Sequence, residues 1–598
     1  GALILMWFAL ALLAAVLWRV QIVQGRRFEK DFTKQSVRRV RLPAIRGRLL
    51  DRNGRLLAEN RPSFDLVLYL EEIRRVTRRG RTADVVEKMV DDLALKLEIP
   101  RRLTREEIEV HIRRRLPLPL TAWADLDEKA VARWAELATG IPGVDLVTSS
   151  RRYYPEGALA AHVLGYVGRA EIQEPEQEPE ERFHYYLPDQ TGRLGIELQY
   201  DRELSGEAGG RMVQVDVSGF RHEDLGGRDP VAGLDLMLSL DIDAQRAAEE
   251  ALGDVSGAAV VIDPRNGEVL ALASSPRFDP NAFIPAISTV QWKELLEDDR
   301  QPLFHRAMSS AHAPGSTFKA VTALAALQAG VVHPGTVISC GGSFPVGRSV
   351  FRCWERAGHG SLRLREAIKY SCNIYFYRAA LLCGIEPIAR AARELGLGSR
   401  TGIDLGGETT GLVPDDAWKR SRMGDGWRDG DSCNVSIGQG ALQVSPLQLA
   451  ALMAALADGG TWRTPHFLLG TRRPGEERFE RLPPGPARAI GFSASHIALV
   501  REGMRDVVMA SDGTGRRSAV PGFSVAGKTG TAEYGRREDR LRRAWMMAFA
   551  PFEEPRFAVI VMVDEGVSGG ITAAPLVSRI LSALLHPPKP SAGEGLGP

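Results

Sequence analysis

The sequence has no large excess of charge of either sign, because 77 lysines and arginines stand against 75 aspartates and glutamates and leave a formal net charge of +2. Bulk charge therefore indicates no particular partner. Arginine is concentrated in the first third, in "RRVTRRGRTADVV" and "RRLTREEIEVHIRRRLP", but aromatic residues are not interleaved with it. We interpret these runs as solvated helix faces and expect no nucleic-acid binding.

Long apolar runs are also scarce, and one stretch alone is able to cross a membrane. "GALILMWFALALLAAVLW" contains 18 residues without a charge, which as a helix extend about 27 Å, close to the thickness of the hydrocarbon core. The run is longer than the usual signal-peptide core of about 7 to 15 residues, and no clear small-residue cleavage site follows it. We predict a single membrane anchor over residues 1–22.

The next segment, residues 23–232, is irregular and polar. "IRGRLLDRNGRLLAENRPSFDLVLYL" predicts a strand, an Asp-Arg-Asn-Gly turn and a second strand. Between residues 80 and 140, apolar positions recur at helical spacing. The segment is therefore predicted to be a β-rich region with a helical insertion.

The pattern changes from residue 233 onward. "GLDLMLSLDIDAQRAAEEAL" predicts a strand and a helix, and "GAAVVIDPRNGEVLALASSP" predicts a hairpin with an Asn-Gly turn. Helices dominate from 317 to 459, and strands and a closing helix over 574–585 follow. This order predicts one antiparallel sheet flanked by helices over residues 233–588. The Pro/Gly-rich tail, 589–598, is predicted to be disordered.

"GFSVAGKTG", residues 522–530, matches the consensus of a phosphate-binding loop. Such a loop opens a helix, whose N-terminus binds the phosphates. Here the runs that follow, 544–550 and 557–563, are short and β-rich, so three successive antiparallel strands are predicted. Lys528 then stands on a strand and faces a groove, and a nucleotide-binding protein is the remotest alternative.

Three short motifs carry candidate chemistry. In "APGSTFKAVTALAALQAG", Ser316 and Lys319 are three residues apart, which places hydroxyl and amine on one face of a helix. The second motif is Ser371-Cys372-Asn373, although Ser-Cys-Asn recurs at 432–434. The third is Lys528-Thr529-Gly530. Each motif alone has an ordinary structural explanation, such as a capping serine followed by a solvated lysine.

In this order the motifs resemble the signature of penicillin-binding proteins and class A β-lactamases. Residues 233–588 resemble the transpeptidase domain of a class B penicillin-binding protein, and "RGRLLDRNGRLLAEN", "RRYYPEGALAAHVLGYVG" and "GIELQYDRELSG" resemble its N-terminal pedestal, or dimerisation-type domain. The resemblance implies an α+β multidomain protein: a transmembrane helix, a β-rich pedestal with a helical head insertion, and a serine β-lactamase-like transpeptidase domain whose antiparallel sheet is flanked by helices.

The resemblance also implies roles for the residues of the first two motifs. Ser316 would attack the penultimate D-alanine carbonyl of a peptidoglycan stem peptide and release the terminal D-alanine. Lys319 would be the base, Ser371 would relay a proton to the leaving amine, and Asn373 would hold the substrate amide. Whether Lys319 alone or Lys528 with Ser371 moves the protons stays open at this point. Residues 432–434 would form a neighbouring structural loop.

For the third motif, the resemblance implies that Lys528 and Thr529, followed by Gly530, bind the terminal carboxylate. The backbone N–H groups of Ser316 and Thr531 would form the oxyanion hole, in which one donor is typically worth about 100- to 1,000-fold in rate. No organic cofactor is expected. β-Lactams would acylate the same serine.

A transferase is favoured over a hydrolase. The Glu-x-x-Leu-Asn base of class A β-lactamases has no counterpart, because the chain contains no Leu-Asn dipeptide. Water attack should be slow, with at most weak D,D-carboxypeptidase activity, and the acyl-enzyme would react with an amine of a neighbouring stem peptide. The alternatives are a septal transpeptidase and a β-lactam-sensing receptor, although a sensor needs more than one membrane helix for its output.

Cys340, Cys353, His359 and Cys372 form the pattern C-x12-C-x5-H-x12-C. Three thiolates and an imidazole suit tetrahedral zinc. The alternative is a Cys340–Cys353 disulfide, with Cys372 and the other cysteines buried as small apolar residues. The segment "AGHGSLRLREAIKYSCN" resembles the zinc-bearing loop of some elongation-type penicillin-binding proteins, which implies a structural zinc that braces the second motif.

The same segment favours the elongation type, known as penicillin-binding protein 2. Such proteins pair with a RodA-like glycan polymerase of the SEDS family through the membrane helix and pedestal, and they respond to an MreC-like scaffold. The chain leaves no room for a glycosyltransferase domain before the pedestal, so we expect a partner to polymerise the glycan. The implied location is the inner (plasma) membrane, with a single span and a periplasmic catalytic domain.

Overall fold

A computed structural model describes residues 1–23, 37–70, 72–73, 82–114, 119–137, 141–169, 185–186, 190–215, 221–535 and 541–587 of the chain. Its first element is the α-helix Ala2–Trp18, continued by the π-helical turn Arg19–Val23. Within these ranges, one helix is long and apolar enough to cross a membrane, Leu3–Ile22, and none of its apolar window is buried against protein. This helix coincides with the predicted anchor. The predicted disordered tail, 589–598, lies outside the described residues.

The N-terminal region is built mainly of strands, as predicted. Leu49–Leu50 pairs antiparallel with Leu56–Leu68, and the turn between them is held by Asp51, whose Oδ1 accepts hydrogen bonds from the backbone N–H groups of Asn53 (2.8 Å) and Arg55 (2.9 Å). The strands of this region are Val37–Leu42, Leu49–Leu50, Leu56–Leu68, Leu120–Trp123, Val144–Tyr153, Val167–Arg169, Tyr185–Tyr186, Gln190–Gly192, Gly209–Val215 and Arg221–Arg228. The short helices Ala161–Leu164, Gly195–Gln199 and Asp201–Ser205 lie between them.

The predicted helical insertion contains three helices, Thr82–Leu97, Arg105–Arg114 and Glu128–Leu137. Thr82–Leu97 buries valines and leucines at helical spacing in a core separate from that of the C-terminal region. Arg101 and Arg105 both form ion pairs with Glu87, at 2.8 Å each. These arginines lie on a solvated face, as we interpreted them.

Asp235–Leu238 differs from the prediction, which placed it in the C-terminal antiparallel sheet. It lies between Leu49–Leu50, with which it is parallel, and Leu468–Arg472, with which it is antiparallel. This seven-stranded sheet also includes Leu56–Leu68, Leu120–Trp123, Val144–Tyr153 and Glu480–Arg481. The physical reason is visible in the burial: Asp235–Leu238 alternates between buried and half-buried positions, whereas Gly257–Ile262 and Phe557–Val563, inside the C-terminal sheet, are buried on both faces.

The C-terminal region contains a five-stranded antiparallel sheet in the order Val269–Ser275, Gly257–Ile262, Phe557–Val563, Leu541–Ala550 and Ala526–Tyr534. Its last three strands are successive in the chain, which confirms that prediction. Ile242–Leu252 and the closing helix Ala574–Leu585 pack together against the sheet, and the wholly buried helix Pro446–Ala457 also contacts it. The edge strand Ala526–Tyr534 carries Lys528 and is called the KTG strand below.

Helices are the main regular elements of residues 317–459, as predicted, but the stretch 338–362 forms two nested hairpins instead. Ile338–Cys340 pairs with Gly360–Leu362, and inside them Ser343–Val346 pairs with Ser349–Arg352. The other helices of the C-terminal region are Pro280–Phe283, Thr289–Glu297, Arg306–Ser309, Gly315–Phe318, Lys319–Gln328, Leu364–Lys369, Asn373–Cys383, Ile385–Glu394, Asp416–Met423, Asp429–Ser436, Ala494–Met509, Arg516–Ser518 and Gly569–Ala573. Its remaining strands are Thr461–Arg463 and Ala487–Ala489.

Candidate active site

An open cleft of about 1430 Å³ lies along the KTG strand. Six of the eight residues predicted from the motifs line it: Ser316, Ser371, Asn373, Thr529, Gly530 and Thr531. The two remaining ones, Lys319 and Lys528, are completely buried beneath it. The structure therefore brings the three motifs together in one place.

Ser316 lies on a short 3-10 turn, Gly315–Phe318, that leads into the helix Lys319–Gln328. This turn touches the KTG strand backbone to backbone. A Cβ added to Gly315, whose φ is +57°, would lie 2.5 Å from the carbonyl oxygen of Thr531, and one added to Gly530 would lie 2.6 Å from that of Pro314. Glycine is required on both sides, and the contact fixes Ser316 beside Thr531.

Ser371 lies in the three-residue link between Leu364–Lys369 and Asn373–Cys383, and its φ is +53°. Lys319 Nζ donates to the carbonyl oxygen of Ser371 (2.6 Å), to its Oγ (3.2 Å) and to Asn373 Oδ1 (2.7 Å). From the other side, Lys528 Nζ donates to Ser371 Oγ (2.9 Å). The hydroxyl of Ser371 therefore bridges two buried amines.

Neither lysine has a carboxylate partner within the described part of the chain. Burial lowers the pKa of Lys319 to about 7, although the nearby Cys372 and Cys353 act in the opposite direction. Burial also lowers the pKa of Lys528 well below its usual value, and the charge of Lys319 adds to this effect. Near neutral pH these amines can accept a proton, which an ordinary surface lysine cannot.

Two features of the motifs differ from the sequence-based expectations. Lys319 is hydrogen-bonded to the second motif, and in the described ranges no hydrogen bond joins it to Ser316. Residues 432–434, expected in a loop, belong to the helix Asp429–Ser436. Ser432 is buried there and accepts a hydrogen bond from Trp427 Nε1 (2.8 Å), while Asn434 lines the cleft.

Several cleft residues were not identified from the sequence. Thr514 Oγ1 lies 3.3 Å from Thr529 Oγ1, and Gln439 Nε2 donates to the carbonyl oxygen of Thr531 (3.2 Å). Four arginines also line the cleft: Arg352, Arg516, Arg517 and Arg542. The signal for Thr514 in the sequence is its position between two glycines. In the structure, a Cβ at either glycine would clash with a neighbouring part of the chain. The arginines carry no recognisable pattern.

Cys340, Cys353, His359 and Cys372 form a compact cluster that shares Cys372 with the second motif, and their ligand atoms all lie within 4.8 Å of one another. His359 Nδ1 lies 3.6 Å from Cys340 Sγ and 3.5 Å from Cys353 Sγ. All five cysteines are free, so the disulfide alternative is not seen. Cys353 Sγ also accepts a hydrogen bond from the backbone N–H of Asn373 (3.4 Å), which ties the cluster to the cleft.

Comparisons with known proteins agree with this architecture. Residues 257–582 match the family "Penicillin binding protein transpeptidase domain", and residues 41–238 match "Penicillin-binding Protein dimerisation domain". "Peptidoglycan D,D-transpeptidase MrdA" of Acinetobacter baumannii is 35% identical over 572 residues, which cover 93% of this chain and 82% of the relative.

Among solved structures, a complex of penicillin-binding protein PBP2 with MreC from Helicobacter pylori matches with a TM-score of 0.76 and 30% identity, covering 92% of this chain and 99% of the other. A second match is titled "Structural coordination of polymerization and crosslinking by a peptidoglycan synthase complex", with a TM-score of 0.70, 32% identity and 97% coverage of both chains. With the three motifs assembled around one cleft, these matches show that the chain belongs to the penicillin-binding protein family, with the dimerisation and transpeptidase domains of its elongation-type members.

Proposed function

We propose that this protein cross-links peptidoglycan during cell elongation, as a serine D,D-transpeptidase that acts through an acyl-enzyme on Ser316. The observation that carries the proposal is the hydroxyl of Ser371 held between two buried lysines, one of which, Lys319, directly follows the turn that carries Ser316. Relatives named peptidoglycan D,D-transpeptidase support the same reaction.

In the first half-reaction, Ser316 Oγ attacks the carbonyl carbon of the penultimate D-alanine, and Lys319, as the neutral amine, accepts the hydroxyl proton. The negative charge on the carbonyl oxygen is stabilised by the backbone N–H groups of Ser316 and Thr531. Gly315 and Gly530 allow these two segments to lie in contact. The tetrahedral intermediate collapses with cleavage of the C–N bond, and an ester on Ser316 remains.

The departing D-alanine needs a proton on its amine. Ser371 Oγ can donate it and be reprotonated by Lys319 or Lys528, since both amines lie within hydrogen-bonding distance of that oxygen. Lys528 and Thr529 would meanwhile bind the terminal carboxylate, and Asn373 would hold the substrate amide. In the second half-reaction, the amine of a neighbouring stem peptide attacks the ester and forms the cross-link, and the same groups carry the proton in reverse.

We further propose that Leu3–Ile22 anchors the protein in the plasma membrane with its catalytic domain outside the cytoplasm. The apolar, unburied helix supports an anchor, and the substrate of the reaction lies outside the cell. The similarity to a PBP2–MreC complex and to a peptidoglycan synthase complex supports an MreC-like scaffold and a RodA-like SEDS glycan polymerase as partners.

The four-residue cluster fits a structural zinc ion. In a tetrahedral site with Zn–S of about 2.3 Å and Zn–N of about 2.0 to 2.1 Å, the nitrogen and sulfur atoms are about 3.6 Å apart. The distances from His359 Nδ1 to Cys340 and Cys353 agree with this value. The hydrogen bond between Cys353 and Cys372 lowers the pKa of the Cys353 thiol and raises that of Cys372, so Cys353 is the member of this pair that favours the thiolate. Bound zinc would brace the link that carries Ser371.

The test is the intact mass of the detergent-solubilised full chain after incubation with benzylpenicillin, followed for hours, for the wild type, Ser316→Ala and Ser309→Ala. A stable single adduct on the wild type and on the Ser309 variant, absent from the Ser316 variant, is expected. No adduct on the folded wild type would overturn the proposal. An adduct that clears within seconds would identify a β-lactamase instead.

A further inference from the structure

The walls of the cleft carry more positive charge than a single terminal carboxylate needs. Four arginines line it, against one glutamate, Glu533. Glu533 and Arg542 form a loose ion pair at 3.7 Å. Within the described residues, the side chains of Arg352 and Arg517 form no ion pair or hydrogen bond, and Arg516 contacts a backbone oxygen alone, at 3.5 Å. Unpaired guanidinium groups in a substrate cleft favour an anionic ligand.

Among these arginines, Arg352 is attached most directly to the catalytic machinery. It ends the strand Ser349–Arg352, and its carbonyl oxygen accepts hydrogen bonds from Asn373 Nδ2 (3.3 Å) and from the hydroxyl of Tyr377 (3.5 Å). Phe351 packs edge-on against Tyr377, with ring centroids 5.3 Å apart. The backbone of Arg352 is thus fixed to the first turn of Asn373–Cys383, while its side chain is exposed in the cleft.

The order of the substrate along the cleft follows from the proposed function, on which this inference rests. The terminal carboxylate lies at the Thr529 end, and the acylated D-alanine lies at Ser316. The amide held by Asn373 joins that D-alanine to the residue before it. The preceding residue of the stem peptide therefore lies on the Arg352 side of the cleft.

We propose that Arg352 is a substrate-binding residue that recognises a free carboxylate on the stem-peptide residue preceding the acylated D-alanine. The donor substrate is then a stem peptide whose third residue is a diamino diacid, rather than a diamino acid without a second carboxylate. A guanidinium presents two parallel N–H donors to a carboxylate, which a lysine cannot do.

Two donor stem peptides that differ at one group test this assignment. Their third residue carries either a free side-chain carboxylate or the corresponding carboxamide, and the scissile bond is the same in both. The second-order constants for acylation of the full chain by each peptide are measured by intact mass. We expect Arg352→Gln to lower the ratio of the carboxylate peptide to the carboxamide peptide by about 5- to 30-fold, the range of one charge-assisted hydrogen bond partly open to water.

Arg517→Gln is the matched control, since it removes an equally unpaired arginine from the same cleft, and its ratio should stay at the wild-type value. The ratio for Arg352→Lys should lie between that of Arg352→Gln and the wild-type value. A ratio unchanged in Arg352→Gln, or lowered equally in both glutamine variants, would overturn the assignment. Failure of the wild type to react with benzylpenicillin would instead refute the proposed function.

Discussion

The Nζ atom of Lys528 lies 2.9 Å from the Oγ atom of Ser371. On the other side of the same oxygen, Lys319 Nζ lies 3.2 Å away. Because both amines are fully buried and close to each other, two positive charges at this place would be strongly unfavourable. The three groups therefore share protons as a unit, and Ser371 connects the base beside the nucleophile to the amine on the KTG strand.

The first prediction concerns the pH dependence of acylation. Burial lowers the pKa of Lys319 to about 7, so the fraction of neutral amine falls as the pH decreases below this value. The second-order constant for acylation by benzylpenicillin should fall about tenfold per pH unit below pH 7 and be flat above it. Stopped-flow measurements between pH 5 and 9 would show this decrease in the acylation constant. Its midpoint is an apparent pKa of the two coupled lysines together, rather than of one of them.

If the acylation constant instead decreased with a midpoint near pH 10, the usual range for lysine, the base would not be a buried amine. A flat profile down to pH 5 would mean that proton transfer to lysine does not contribute to the rate. Thermal unfolding measured at each pH serves as the control, because loss of structure at acidic pH would also reduce acylation.

The second prediction concerns the contact between the nucleophile turn and the KTG strand. In Gly530→Ala, the new Cβ would lie 2.6 Å from the carbonyl oxygen of Pro314, and backbone atoms cannot move aside as a flexible side chain can. The turn with Ser316 must shift, and a displacement of about 1 Å typically costs about 100-fold in rate. We expect acylation by benzylpenicillin to slow by about this factor.

Gly335→Ala is the control for this change, because a Cβ at Gly335 would meet no atom within 4 Å. Both variants should unfold cooperatively and bind the same antibodies against the folded protein. Normal acylation of the folded Gly530 variant would show that the close contact does not position Ser316.

The elements that were predicted correctly are those whose pattern is local. The KTG strand and the two strands after it are short β-rich runs separated by turns, and the closing helix Ala574–Leu585 has a regular helical spacing. The phosphate-loop alternative could be set aside for the same reason, since strand signals follow Lys528. The motifs themselves could be located because each is a short contiguous pattern, and because they follow one another in the order of a known signature.

Features that depend on contacts distant in the chain could not be predicted. Asp235–Leu238 resembles any half-buried strand, and its partner is decided by Leu49–Leu50 and Leu468–Arg472, far away in the sequence. The link at Ser371, with its positive φ, has no glycine or asparagine to mark it. Arg352 looks like an ordinary surface arginine, because its environment is made by the helix Asn373–Cys383 and the opposite wall of the cleft.

The third prediction concerns the cluster of three cysteines and His359. If it holds zinc, the full chain purified without chelators should contain about one zinc per chain. Cys353→Ser should lose most of the metal and lower the unfolding temperature, because three remaining ligands do not close the site. Cys383→Ser, outside the cluster, is the matched control and should keep the metal. Elemental analysis with equal zinc in both variants, or none in the wild type, would contradict the zinc site.

The last prediction concerns a buried charge in the dimerisation domain. Glu197 binds Arg46 Nε and Arg152 Nε, both at 2.6 Å, and all three side chains are buried. Glu197→Gln would leave the buried guanidinium group of Arg152 without a counter-charge, whereas Arg46 would keep its ion pair with Asp201 (2.7 Å). Breaking a buried ion pair in this way typically costs about 3 to 5 kcal/mol. Glu207→Gln is the matched control. The ion pair between Glu207 and Arg228 is largely exposed, so this substitution should lower the free energy of unfolding by less than about 1 kcal/mol.

The pH dependence of this difference has a definite sign. Burial raises the pKa of Glu197, but Arg152 and Arg46 outweigh it, and the folded-state pKa lies below the usual value. The stabilisation is therefore complete above the ordinary glutamate pKa of about 4.3 and is lost as the pH falls through the lower folded value. Denaturant midpoints of wild type and Glu197→Gln should converge in that acidic range. A constant gap from pH 7 to pH 3, or equal costs for both glutamine variants, would show that the charge of Glu197 does not stabilise this domain.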